Sequence, residues 1–275
     1  MCLGLGADPA WRSGRHRGAL TGSRTADLDL RPLTARSVIL SILLGTHRPS
    51  LPVRALVRTA GLFGITEGTT RVALSRLASE GDVVAHDGAY GLSPRLISRQ
   101  HRQDEGLHPE VRPWRGGWEL AVLRPGAHGS DQRAVVRTGL LQLRLAELRP
   151  GVWTRPNNLT RPWPEEMLHR LFCFEAKAVL DPATSAELVS SLWNLPAWAD
   201  QAGALLRSLS AATEPAQRFV VAAAMIRHIR DDPVLPPALL APRWPGHRLR
   251  RAYESYLQEL GELMRREHER HSRLR

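Results

Sequence analysis

Between residues 67 and 79, apolar side chains recur three and four positions apart. Ala73, Leu74 and Leu77 share one side of a helix, while Gly68, Arg71, Val72, Ser75, Arg76 and Ser79 share the other. Thr66 stands where a hydroxyl can accept from a free first-turn amide, Glu67 suits the positive end of the helix dipole, and Gly81 can end the helix. Two short runs follow, Val83-Val84-Ala85-His86 and Ala89-Tyr90-Gly91-Leu92, joined by Asp87-Gly88. That pair favours the two-residue type I′ turn, so the pattern predicts a hairpin. Upstream, Ala35 to Leu44 predicts a helix capped by Thr34 and stopped by Gly45. Val53 to Gly61 predicts another, with Val53, Leu56, Val57 and Ala60 on one face. Leu62-Phe63-Gly64 supplies a tight turn between the second and third helices. Helix, helix, turn, helix and hairpin are, in that order, the parts of a winged helix-turn-helix.

The remaining pattern predicts an overall α+β chain. Residues 1–30 carry Gly, Arg, Ser and Asp without periodicity and read as a disordered tail that includes Arg15-His16-Arg17. The winged module takes residues 31–105, Pro94 to Gln103 being a helical connector, and Gly106 to Gly117 reads as a linker. A central unit, 106–182, begins with a strand at Trp118 to Leu123, ended by Arg124-Pro125-Gly126. A helix is predicted over Asp131 to Leu148, with Val135, Leu140, Leu141, Leu143 and Leu145 on its apolar face. After Pro150-Gly151 come a strand at Val152 to Arg155, a short helix from Glu165 to Leu168 and a strand from Leu171 to Leu180. Residues 183–275 are helical: Thr184 to Trp193, Trp198 to Ala211, Pro215 to Arg230 and Gly246 to Arg270. The proline-stiffened corner Asp231 to Pro237 separates the last two.

Charge sharpens the reading of the first module. The 275 residues carry 38 basic and 27 acidic side chains, a net of +11, which favours a polyanionic partner. Residues 31 to 100 hold nine basic against four acidic side chains, whereas 156 to 210 hold four against six. Lys177 is the only lysine; a genome rich in G and C produces that bias without selection, yet guanidinium groups suit phosphates and guanine edges. Cys2 and Cys173 are too few for a disulfide framework and lack metal-ligand spacing. No segment has the length of a membrane span, and Met1 to Ala10 lacks the pattern of a signal peptide, so a cytoplasmic location is expected.

For DNA contact the candidates are Thr69 and Thr70 in the first turn of the reading helix, then Arg71, Ser75 and Arg76 along it, and His86 and Asp87 in the wing. Tyr90 is at least as well suited to packing. No catalytic or metal-binding set is expected, and no cofactor. His268 and His271 have helical i, i+3 spacing without a third ligand, and Arg76 stays protonated and cannot activate Ser75 as a base would.

Several of these segments resemble a known family. Leu33-Thr34-Ala35-Arg36-Ser37, Phe63-Gly64-Ile65-Thr66-Glu67-Gly68 and Arg71 to Leu77 are similar to the N-terminal domain of the PaaX-type repressors of phenylacetate degradation. Leu148 to Leu159 resembles the family's central domain, and Asp232 to Pro236, Trp244-Pro245-Gly246 and Arg251-Ala252-Tyr253 its C-terminal domain, so the match spans about residues 31 to 260. The resemblance implies a dimeric transcriptional repressor with a winged helix, a ferredoxin-like central domain and a helical C-terminal domain. It also implies release from operator DNA by an aryl-CoA thioester such as phenylacetyl-CoA; our own hypothesis is that the ligand changes the separation or tilt of the two winged helices in the dimer. Typical members lack the tail. For such a ligand, Arg133, Arg137, Arg149 and Arg155 with Trp153 are candidate contacts. Other readings remain: a regulator answering to an unrelated ligand, a dimerisation scaffold in the second and third units, or a metal-dependent ribonuclease built on the ferredoxin-like domain. The nuclease would need an aspartate after its first strand, where this chain has Arg124-Pro125-Gly126.

Overall fold

The computed structural model describes residues 28, 30–125 and 130–272. Most of the expected tail, with Cys2 and Arg15-His16-Arg17, lies outside the described residues, as do Gly126 and the side chains of His268 and His271. Of the tail residues that are described, Leu28 packs against the C-terminal helical core.

The first part holds helices α1 (Ala35–Thr46), α2 (Val53–Gly61) and α3 (Glu67–Ser79), with a sheet of β1 (Leu51–Pro52), β2 (Val83–His86) and β3 (Ala89–Leu92). Thr34 caps α1 by accepting from the Ser37 amide at 3.1 Å, while the Ser37 hydroxyl accepts from the Thr34 amide at 3.0 Å. The predicted stop at Gly45 is overturned: the helix continues through it and ends where His47 adopts a left-handed φ of 51°. The sheet is antiparallel in the order β1-β3-β2, with Val83 opposite Leu92 and His86 opposite Ala89. Asp87 and Gly88 both have positive φ, 47° and 72°, as a type I′ turn requires. Ile39, Leu43, Leu56, Leu74 and Leu77 are fully or almost fully buried in one core. Phe219, from far along the chain, inserts into that core with its ring 4.8 Å from that of Phe63.

Helix α4 (Pro94–Leu107) carries the chain out of the hairpin, longer than the predicted connector, and buries Leu107 among the C-terminal helices. A second, four-stranded antiparallel sheet follows. Its elements are β4 (Gly117–Leu123), α5 (Ser130–Gln142), β5 (Ala146–Arg149), β6 (Val152–Pro156), α6 (Glu165–Leu168) and β7 (Leu171–Lys177), with strand order β5-β6-β4-β7. The single helix predicted over 131–148 is corrected here. Arg144 takes a φ of 63°, which breaks the helix, and Ala146–Arg149 pairs with β6 instead. The run of leucines had disguised the switch in period, since Leu140 and Leu145 are buried in the same core from either side of the break.

The last part is α7 (Pro182–Leu192), α8 (Leu195–Ala211), α9 (Pro215–Arg230) and α10 (Gly246–Ser272), with a 3-10 turn at Pro237–Leu239 in the corner. Its core centres on Ala202, Leu205, Met225, Ile229 and Leu249, each 0% exposed. The Trp198 ring is stacked between His228 at 4.4 Å and Trp244 at 4.7 Å. No helix among the described residues is long and apolar enough to cross a membrane.

Candidate nucleic-acid interface

Helix α3 is fixed at its start by Thr66. The Thr66 hydroxyl accepts from the Thr69 amide at 3.3 Å, and its oxygen lies 2.8 Å from the Thr69 hydroxyl. The helix then divides as its sequence pattern requires. Leu74 and Leu77 are buried and Ala73 half-buried, while Gly68, Thr69, Arg71, Val72, Ser75, Arg76 and Ser79 face solvent. Thr70 departs from the expected contact set. It is 0% exposed and its hydroxyl donates to the Thr66 carbonyl at 2.9 Å, so it secures the first turn from inside. Arg71 is paired with Glu67 one turn back at 2.8 Å. Val72, exposed at 53%, sits between the polar positions, where a methyl-bearing side chain can meet a thymine methyl. Gly68, Thr69, Val72 and Arg76 line a groove of about 600 Å³ together with Thr34 and Arg36 at the start of α1.

Strand β2 of the hairpin contacts α3. His86 and Asp87 are exposed at its tip and lie 2.9 Å apart, while Tyr90 packs against the helical core. Gly91 is forced by close approach: a Cβ there would lie 2.4 Å from the Pro49 carbonyl oxygen.

Of the five residues considered for a CoA ligand, three gather. Arg133, Arg137 and Trp153 line a cavity of about 240 Å³ beside α5. The Arg137 guanidinium lies 5.3 Å from the Trp153 ring centre and pairs with Glu147 at 2.5 Å. Trp153 itself is buried in the core beneath. Arg149 is exposed on β5 and does not line the cavity. Arg155 is a correction: it is 0% exposed, and donates to Asn158 at 2.9 Å and to the Val234 carbonyl at 3.1 Å. Burial, opposed by Glu119, pushes its pKa down to about 9. It fastens the second sheet to the corner before α10 and has no access to a ligand.

Two family models match the chain, PaaX-like protein over residues 34–96 and PaaX-like protein C-terminal domain over residues 193–270. Among solved structures, the uncharacterized protein Rv0674 from Mycobacterium tuberculosis is similar at 39% identity. The likeness covers 86% of this chain and 99% of that one, with a TM-score of 0.74. The chain belongs to the PaaX-like family. Comparison with curated proteins returns no match.

The PaaX-like model over 34–96 contains both α3 and the hairpin, so the candidate interface falls wholly within it. The sequence reading missed what stands behind the interface. Arg36 on α1 and Arg95 on α4 both grip Asp82, just past α3, and Arg36 also pairs with Glu80. Gln100 donates to the Leu44 carbonyl at 2.7 Å, binding α4 to the end of α1. A signal was present: Arg95, Arg99 and Gln103 recur at four-residue spacing on a helix, a polar stripe facing elements that only the fold brings near.

Proposed function

We propose that this PaaX-like protein is a DNA-binding transcription regulator, a repressor that acts as a homodimer on double-stranded operator DNA and resides in the cytoplasm. The carrying observation is α3, which exposes Thr69, Arg71, Ser75 and Arg76 to solvent and is contacted by strand β2 of the hairpin. On this reading, residues 31–105 form a winged helix-turn-helix with α3 in the major groove and His86 and Asp87 at the wing. The unit 106–182 is ferredoxin-like, supported by the order strand, helix, strand, strand, helix, strand and by the sheet order β5-β6-β4-β7. Residues 183–275 form the helical unit. Because β4 is followed by Arg124 where a metal-assisted nuclease would need a carboxylate, the regulator is favoured over that enzyme.

For the dimer, β7 offers a self-complementary edge. If the strand continued past its end at Lys177, antiparallel pairing of two copies about Ala176 would set Phe172 against Leu180 and Phe174 against Ala178 on one face, and Glu175 against Lys177 on the other. Phe172, Phe174 and Leu180 are exposed at 42%, 51% and 41% in the single chain, which favours covering this edge.

The released state is assigned to an aryl-CoA thioester of the phenylacetyl type or another acyl-CoA, with an unrelated ligand as the second reading. Fluorescence anisotropy on DNA from the gene's own promoter tests the core of the proposal. Replacing Arg71 or Arg76 by Ala should weaken specific binding by about 1–3 kcal/mol for each lost contact. Undiminished affinity in the double variant would remove α3 from the role of reading helix.

A further inference from the structure

We propose that α3 reads a thymine in the major groove, the 5-methyl group of the base packing on Val72 while the base pair approaches closely at Gly68. The inference rests on the regulator reading above and names what the helix selects.

Val72 is the one large apolar side chain among the exposed positions of α3, which otherwise carry Glu67, Gly68, Thr69, Arg71, Ser75, Arg76 and Ser79. It is 53% exposed and belongs to none of the hydrophobic cores. Neither solvent nor the helix accounts for it. A solvated helical position is better served by Ala, Arg or Glu than by a β-branched residue, which loses rotamer freedom against the preceding turn.

Gly68, one turn earlier on the same side, is a second and separate observation. Its backbone is helical, and a Cβ there would meet nothing within 4 Å. Neither a left-handed φ nor packing within the chain therefore calls for glycine, although glycine is the poorest helical residue after proline. One use of the missing side chain remains, which is close approach by a ligand. Gly68 and Val72 are the second and sixth residues of α3, in the part that meets base edges when a reading helix enters the major groove.

The surroundings fit a nucleic acid and, within it, thymine. Gly68 and Val72 line one groove with Ala35, Ala73 and two guanidinium-bearing residues, Arg36 and Arg76. Arg36 is held by Asp82 and by Glu80, which also lines the groove, whereas Arg76 is exposed and makes no ion pair among the described residues. Arg76 is thus open to a phosphate or a guanine edge, while Val72 has no polar atom to offer a base. Of the four bases only thymine presents a methyl group in the major groove, and a branched aliphatic side chain gains by covering it.

Fluorescence anisotropy on two versions of the gene's own promoter fragment, one made with thymidine and one with deoxyuridine throughout, tests the contact. Deoxyuridine keeps every hydrogen-bonding group and lacks only the methyl. The wild-type protein should bind the uracil fragment more weakly, by about fourfold for each methyl lost from the contact. Val72→Ala should lose affinity for the thymine fragment and narrow the gap between the two. Gly68→Ala should melt no lower than wild type, because the helix gains a better residue and open space receives it, yet bind the thymine fragment several-fold more weakly. Equal wild-type affinity for the two fragments overturns the proposal. So does a uracil penalty that persists undiminished in Val72→Ala, which would assign it to the deformability of the DNA. Full affinity in a stable Gly68→Ala protein overturns the close approach. Failure of the wild type to bind the thymine fragment at all defeats the regulator reading and this contact together, whereas tight binding without discrimination defeats the contact alone.

Discussion

The Arg36 guanidinium grips the Asp82 carboxylate, tying the first turn of α1 to the residue that follows α3. Asp82 is buried while Arg36 is half-exposed, and the second Asp82 oxygen is taken by Arg95. The carboxylate is thus the joint at which two helices meet the end of α3. Asp82→Ala frees two guanidiniums that solvent can rehydrate, so the stability cost should be about 1–3 kcal/mol, seen as a lower urea midpoint. Operator affinity should fall too, because α3 loses the fixed tilt that docks it. Loss of stability with full affinity would show that the joint only supports the fold.

Thr69 and Thr70 are neighbours with opposite fates, and valine separates them. Thr70→Val keeps the buried shape but removes the bond to the Thr66 carbonyl, so the melting temperature should drop by the equivalent of about 0.5–1.5 kcal/mol. Thr69→Val alters an exposed group, and its stability change should stay within about 0.5 kcal/mol while operator affinity falls. Thermal melting and anisotropy on the same preparations decide it. An affinity loss larger at Thr70 than at Thr69, with stability unchanged, would reverse the assignment.

The contrast shows how far the sequence can be read. The faces of α3, the Thr66 cap, the limits of α2 and the Asp87-Gly88 turn were all legible, because each depends on residues within a turn or two of one another. Thr70 was misjudged because its position relative to the core depends on how α3 is rolled against α1 and α2, and a periodic pattern leaves one residue at each margin undecided. The break at Arg144 was hidden because leucines serve a helix and a strand equally well. Arg155 was named as a ligand contact because nothing local reveals that Asn158 and the Val234 carbonyl will receive it. The groove bordered by α1, α4, α9 and α10 was the least visible, since its walls come from four helices spread over most of the chain.

Gly91 should tolerate no side chain. A Cβ at this position would meet the Pro49 carbonyl oxygen at 2.4 Å, and backbone rather than a flexible side chain would have to give way. Gly91 pairs with Val84 in the hairpin, so the displacement would be passed to the candidate wing. Gly91→Ala should lower stability by about 1–3 kcal/mol, as overpacking does, with amide exchange quickening first in β2 and β3. An unchanged exchange pattern would mean that the segment before β1 moves freely and does not brace the hairpin.

His228 makes the fold sensitive to mild acid. Its ring is buried, stacks on Trp198 and has Nε2 2.9 Å from the Trp198 carbonyl, an acceptor that requires the proton on that nitrogen. Burial pushes its pKa below the ordinary 6.5, with the Trp198 carbonyl, Asp231 and Asp232 acting in the opposite direction. Since the folded pKa is the lower one, both states are neutral above 6.5, and as pH falls below it the unfolded chain takes up a proton that the folded chain refuses. Stability is therefore complete above 6.5 and declines as pH drops toward the folded value. His228→Gln retains a donor for the carbonyl without titrating, so its stability should lie below wild type near neutrality and the gap should narrow toward about pH 5. Urea unfolding across that range checks the sign: parallel curves would show that His228 is not the titrating group, and a widening gap would mean that its folded pKa is raised.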